Sequence, residues 1–176
     1  MTRVRLRPTM QSDLDFVLTL ERDPENLPFI TPWERTQHEA AIRFPDFRHF
    51  IIEAGPDFES AGFAIVIGCR SQHQSIELKR MVVQVKGQGT GRAAFRVLKR
   101  IAFDDLGAHR LWLDVKSMNT RARGLYESEG FQVEGTLRDA VRVGKLTPSG
   151  FDSLVVMSML ASEFAGRRTA VQELPA

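Results

Sequence analysis

The segment Ile76 to Arg92, IELKRMVVQVKGQGTGR, constrains this chain more than any other, because a strand pattern breaks into a glycine-rich turn and restarts as a helix. Gly87, Gly89 and Gly91 remove the Cβ atoms that would keep a ligand off the backbone, and the first N–H groups of the helix from Thr90 have no intrahelical acceptors. Those donors, with the positive end of the helix dipole, suit a phosphate or pyrophosphate. Lys86 and Arg92 flank the turn and add positive charge there, and Gln88 lies within it. A fold built on this segment must bring a strand end and a helix N-terminus to one anion site.

The rest of the chain supplies strands and helices in turn. Val4 to Arg7 alternates as a short strand, and Ser12 with Asp15 three residues on predicts the N-cap of a helix whose apolar face is Phe16, Val17 and Leu20. Pro24, Pro28 and Pro32 punctuate a loop around Phe29 and Ile30. Thr31, Pro32, Trp33 and Glu34 then offer a capping threonine, a proline at the first helical position and a glutamate at the third, for a helix ending before Pro45. HFIIE (His49 to Glu53) and FAIVIGC (Phe63 to Cys69), separated by Gly55, Pro56 and Asp57, predict an antiparallel hairpin. In the next strand Ile76, Leu78 and Val82 fall on one side and Glu77, Lys79 and Met81 on the other.

Ala94, Phe95, Leu98, Ile101 and Ala102 recur at helical spacing up to Gly107, with Arg96, Lys99 and Arg100 read as a solvated face. LWLDV (Leu111 to Val115) is a strand, and Asn119 caps a helix that carries Ala122, Leu125 and Tyr126 and ends at Gly130. Phe131 to Val143 and Ser153 to Met159 read as closing strands turned by Thr147 to Gly150, and the polar tail from Ser162 is expected to fray.

Composition excludes several classes of function. A chain of 176 residues is expected to form one domain over 1–176, and its net charge of +2 gives no reason to expect a nucleic-acid partner. No apolar run reaches the ~20 residues of a membrane span, and MTRVRLRPT lacks the apolar core of a signal peptide, so no membrane partner and a cytoplasmic location are expected. Cys69 is the single cysteine and sits in an apolar run, where an inert thiol is expected. His38, His49, His73 and His109 show no metal-ligand spacing, so no metal is predicted.

Three phosphate-binding readings compete for the glycine turn. A Walker-type loop needs Gly, Lys and Ser or Thr in succession, and no such run exists. GTGRAA (Gly89 to Ala94) satisfies the dinucleotide fingerprint, with Asp114 placed as a ribose-binding acid. Against it, Gln84 to Gln88 separate the strand from the fingerprint, and that strand alternates charge and apolarity, unlike one buried on both faces.

The third reading is a resemblance. KGQGTG (Lys86 to Gly91) is similar to the [QR]xxGx[GA] acyl-CoA pyrophosphate loop of the GNAT family of N-acetyltransferases, with lysine replacing the usual glutamine or arginine. LDVKSMNTRARGLYESEGFQVEGTLRD (Leu113 to Asp139) resembles the branch containing the ribosomal-protein-alanine N-acetyltransferases, in which an asparagine opens the helix and a glycine-phenylalanine pair ends it. The resemblance implies an α/β (α+β) fold: a mixed, mainly antiparallel sheet of six to seven strands flanked by about four helices, with two strands splayed to form an acyl-CoA slot. It implies acetyl-CoA as co-substrate, Met81, Val82 and Val83 as the segment whose backbone pairs with the pantetheine arm, Lys86 to Arg92 as the pyrophosphate loop, and Asn119 as a further pantetheine contact.

Acyl transfer to an amine needs a neutral amine, a polarised carbonyl and a proton for the departing thiolate. Tyr126, the only tyrosine, matches the family's general acid, and Glu77 matches a position where relatives often carry a catalytic glutamate. Phe29 and Trp33 are candidates to line the acceptor pocket. The reading is an N-acetyltransferase acting on a primary amine, either a protein or peptide N-terminus or a small amine, with a homodimer left open. Its rival is a CoA-binding module without catalysis, which would have no need of Tyr126.

Overall fold

The computed structural model describes residues 3–172, without the side chains of 168–172. Its elements are β1 (Val4–Pro8), α1 (Leu14–Glu21), α2 (Arg35–Arg43), β2 (Phe47–Ala54), β3 (Glu59–Ile67), β4 (Ser75–Val83), α3 (Thr90–Arg100), β5 (Arg110–Lys116), α4 (Thr120–Ser128), β6 (Gln132–Arg142), β7 (Phe151–Leu160) and α5 (Ala161–Gln172). The seven strands form one sheet in the order β1-β2-β3-β4-β5-β7-β6. Every neighbouring pair is antiparallel except β4 and β5. This is the mixed, mainly antiparallel sheet expected, with five helices in place of about four.

The fifth helix, Ala161–Gln172, falls in the segment expected to fray. Its sequence carries no clear period, yet Phe164 stacks on Phe103 with ring centroids 4.8 Å apart, and that tertiary contact supplies the order the segment lacks by itself. The last residues of the tail, 173–176, lie outside those described. Phe103 belongs to a π turn, Ile101–Asp105, that prolongs α3 before Gly107 stops it at φ +66°.

Two helix starts also differ from expectation. A 3-10 turn (Gln11–Asp13) precedes α1, and Asp13, not Asp15, reaches back to the Met10 N–H at 2.7 Å. Arg7 selects that carboxylate, donating to it at 2.7 and 2.9 Å from the neighbouring strand. Helix α2 starts at Arg35, with Gln37 Oε1 accepting from Glu34 N–H at 2.8 Å. The Thr31-Pro32-Trp33 signal is overridden because Thr31 O and Trp33 N–H are held by Arg80 and Glu21, distant in sequence.

The fourth strand carries a bulge that sequence alternation misses. Ile65 faces Arg80 while Val66 faces Leu78, so Lys79 is an extra residue in β4. Faces therefore exchange along the strand. Ile76 and Leu78 pack with Met81, Val83 and the residues of α3 and α4, such as Phe95, Leu98 and Tyr126. Val82 instead joins Val17, Leu20 and Phe63 under α1, opposite to its expected side. Helices α3 and α4 thus cover one face and α1 with α2 the other. Lys99, read as solvated, is 6% exposed beneath α3. No helix among the described residues is long and apolar enough to cross a membrane.

Candidate active site

Strands β4 and β5 pair only from Ser75 to Glu77 against Arg110 to Trp112, and then part. Beyond that point β5 stays paired with β7 as far as Lys116, while β4 follows β3 to Val83. Unpaired backbone groups of both strands consequently face a slot. The slot opens into a cavity of about 580 Å³. Because Leu111, Leu113 and Val115 pack on the α3–α4 face, strict alternation puts Asp114 and Lys116 on the α1–α2 face. The cavity touches residues of both faces: Asn119, Ala122 and Tyr126 of α4, and Phe29 to Trp33 with Asp114 on the other side.

The glycine turn leads directly from Val83 into α3. Gly87 and Gly89 have φ of +82° and +81°, and a Cβ at either would meet nothing within 4 Å. Their glycines are therefore required by backbone conformation, and the space over them is open for a phosphate. Gly89 is the N-cap of α3, whose first N–H groups point into that space. Gly91, by contrast, lies inside α3 against the Val83 side chain. Gly89→Ala is expected to lower stability by about 1 kcal/mol through left-handed strain alone, and so to lower Tm by roughly 2–4 °C in a thermal melt.

The two flanking cations are engaged within the protein. Lys86 Nζ donates to Glu25 at 3.2 Å, tying the turn to the α1–α2 loop, and Arg92 donates to Ser128 Oγ at 2.8 Å and Glu129 at 2.9 Å.

Tyr126 is 8% exposed, its ring set 5.0 Å from that of Phe95, and no protein group among the described residues hydrogen-bonds its hydroxyl. Burial pushes its phenol up to about 12, so it stays protonated at neutral pH. Asn119 caps α4 through Oδ1, which accepts from Ala122 N–H at 3.2 Å. Phe29, Trp33, Met81, Asn119 and Tyr126 thus share the cavity wall, whereas Val82, Val83 and residues 86–92 lie outside it.

Glu77 also lies outside that wall, accepting from Lys79 Nζ at 3.3 Å. Asp114 is a cavity carboxylate that sequence reasoning considered only as a ribose ligand; it is exposed and forms no ion pair among the described residues. The signal for it was present in LWLDVK, where the apolar residues alternate and leave the acid on the opposite face, five residues before Asn119. Cys69 is removed from the cavity, and burial raises its thiol.

The profile of the acetyltransferase (GNAT) domain matches residues 3–132. The chain belongs to the GNAT family. An uncharacterized N-acetyltransferase of Mycobacterium tuberculosis is 32% identical over 114 residues, covering 64% of this chain and 72% of that protein. A Bacillus subtilis protein, provisionally named a [ribosomal protein bS18]-alanine N-acetyltransferase, is 25% identical over 88% of this chain and 95% of its own length. Among solved structures, the spermidine N-acetyltransferase of Vibrio cholerae in complex with CoA and spermine superposes with a TM-score of 0.80 at 22% identity, over 92% of this chain and 98% of that one. This GNAT protein is an acetyl-CoA-dependent N-acetyltransferase, and its splayed strands with the open glycine turn fit that co-substrate.

Proposed function

We propose that this GNAT enzyme moves an acetyl group from acetyl-CoA to a primary amine by direct attack within a ternary complex. One observation carries this reading: a single cavity through the splayed sheet joins Tyr126 on one face to the Phe29–Trp33 wall on the other. In this scheme the backbone of Met81 to Val83 pairs with the pantetheine arm, and the N–H groups from Gly87 to Arg92 hold the pyrophosphate. Asn119 turns its remaining amide N–H toward the same arm. Carbonyl polarisation falls to a backbone N–H at Val82 or Val83. Tyr126 gives its proton to the thiolate as the C–S bond breaks. Direct attack is favoured because no cysteine lines the cavity among the described residues.

For the base, two carboxylates are candidates. Asp114 faces the acceptor wall unpaired, whereas Glu77 would act only after leaving Lys79. Asp114→Asn is expected to lower kcat/KM by about 100-fold at pH 7, and Glu77→Gln by no more than a few-fold. The reverse pattern in steady-state assays would return the base to Glu77.

The names of the relatives point to two acceptors, a polyamine and a protein N-terminal alanine, and both carry primary amines. The test is release of CoA thiol with spermidine and with a short peptide bearing an N-terminal alanine, varying both substrates. Intersecting double-reciprocal lines support a ternary complex; parallel lines would replace it with an acyl-enzyme.

A further inference from the structure

A chain of buried polar side chains runs from Thr9 to Arg80, which itself lines the cavity beside the acceptor wall. Thr9 Oγ1 lies 2.9 Å from His49 Nδ1, His49 Nε2 lies 3.0 Å from His38 Nδ1, and His38 Nε2 lies 3.0 Å from Glu21 Oε2. Arg80 completes it by pairing with Glu21 Oε1. Glu21 and His38 are 0% exposed and Arg80 9%. Acetyl transfer as described uses none of these groups. A buried ion pair backed by two imidazoles is no more stable than well-packed apolar residues would be, so its value lies in what it holds in place.

What it holds is the wall. Trp33 N–H donates to Glu21 Oε2 at 2.9 Å, and Arg80 Nη2 donates to Thr31 O at 2.7 Å. The Arg80 guanidinium lies 5.0 Å from the centre of the Trp33 ring, and the His38 ring centre lies 5.3 Å from it. Arg80 itself sits between the bulge residue Lys79 and Met81, so one planar group links the acceptor wall to the cofactor strand.

A carboxylate only accepts, so His38 Nε2 donates to Glu21. Between the two rings and on to Thr9 the donor follows from the tautomer, and either sense leaves every ring nitrogen with a partner.

We propose that Arg80 and Glu21 are positioning residues that set the Thr31–Trp33 wall against the cofactor strand and so determine acceptor binding, an inference that rests on the acetyl-transfer reading above. The fork of Arg80 serves two acceptors at once, which a lysine ammonium on a flexible stem cannot reproduce. Arg80→Lys should raise KM for the probe acceptor, spermidine or the alanine peptide, by about tenfold, with KM for acetyl-CoA within about twofold. A role confined to stability would lower Tm without that split.

The double variant Glu21→Gln with Arg80→Met leaves no unpaired buried charge and guards against misfolding. It should show the same rise in acceptor KM; a wild-type KM would mean the pair only neutralises itself and would overturn the proposal. A second readout needs no acceptor. With Trp112→Phe as background, acrylamide quenching of Trp33 should at least double in the double variant, and unchanged quenching would also overturn the clamp. Absence of turnover with both acceptors in the unaltered enzyme would remove these two acceptor classes, while Trp33 quenching would still decide the clamp.

Discussion

Replacing Tyr126 by phenylalanine is expected to lower turnover by about 100- to 1,000-fold while leaving acetyl-CoA affinity nearly intact. The ring is held by Phe95 and Phe131, with centroids 5.0 and 6.3 Å away, and phenylalanine preserves that packing. Only the hydroxyl is lost, and it makes no hydrogen bond to protein among the described residues, so little stability should go with it. Because burial pushes the phenol up to about 12, its proton is present throughout the neutral range, and Tyr126 should contribute no alkaline limb to the rate below about pH 10. Turnover under saturating substrates and calorimetric binding of acetyl-CoA separate the two quantities. Equal loss of both would make Tyr126 a packing residue, and an unchanged rate would remove the acid role.

Glu129→Gln should produce the largest loss of stability, about 3 kcal/mol, seen as a Tm lowered by roughly 6–12 °C. Its carboxylate, 5% exposed, accepts from Arg92 at 2.9 Å, Arg96 at 3.0 Å and Lys99 at 3.0 Å. Lys99 is itself buried, and the substitution would leave its charge with neutral acceptors only. These contacts fasten α3, which begins at the glycine turn, to the end of α4, which carries Tyr126. Burial alone would push the Glu129 carboxyl above its ordinary pKa, but the hydrogen bonds from Arg96, Lys99 and Arg92 outweigh it and hold the group near 2. A folded value below the unfolded one near 4.5 gives stability that is complete above pH 4.5 and is lost as pH falls from there toward 2. Urea midpoints across that range should fall more steeply for the wild type than for Glu129→Gln. Parallel slopes would refute the assignment.

Sequence reading reached the site unevenly, for identifiable reasons. Strand β4, the glycine turn, α3, β5 and α4 were legible because apolar spacing, positive-φ glycines and the Asn119 cap are local signals. Phe29 and Trp33 line the cavity, but α2 begins at Arg35 because Arg80 and Glu21 hold the residues before it extended. The bulge at Lys79 leaves no mark in alternation, since an extra residue in one strand is defined only by its partner. That is also why Val82 was assigned to the wrong face. Likewise Lys99 and the tail after Ser162 look solvated until Glu129 and Phe103 are brought to them.

The sequence by itself determined that a glycine-rich turn joins a strand to a helix, that a second strand and capped helix follow, and that a single phenol lies on the latter. Those features depend on residues within a few positions of one another. Only the tertiary structure decided that the two strands part after Glu77, that Asp114 rather than Glu77 lines the resulting cavity, and that the buried Glu21–Arg80 pair bonds to Trp33 and Thr31 at its wall. Such facts depend on which distant groups meet, and local propensity carries no record of them.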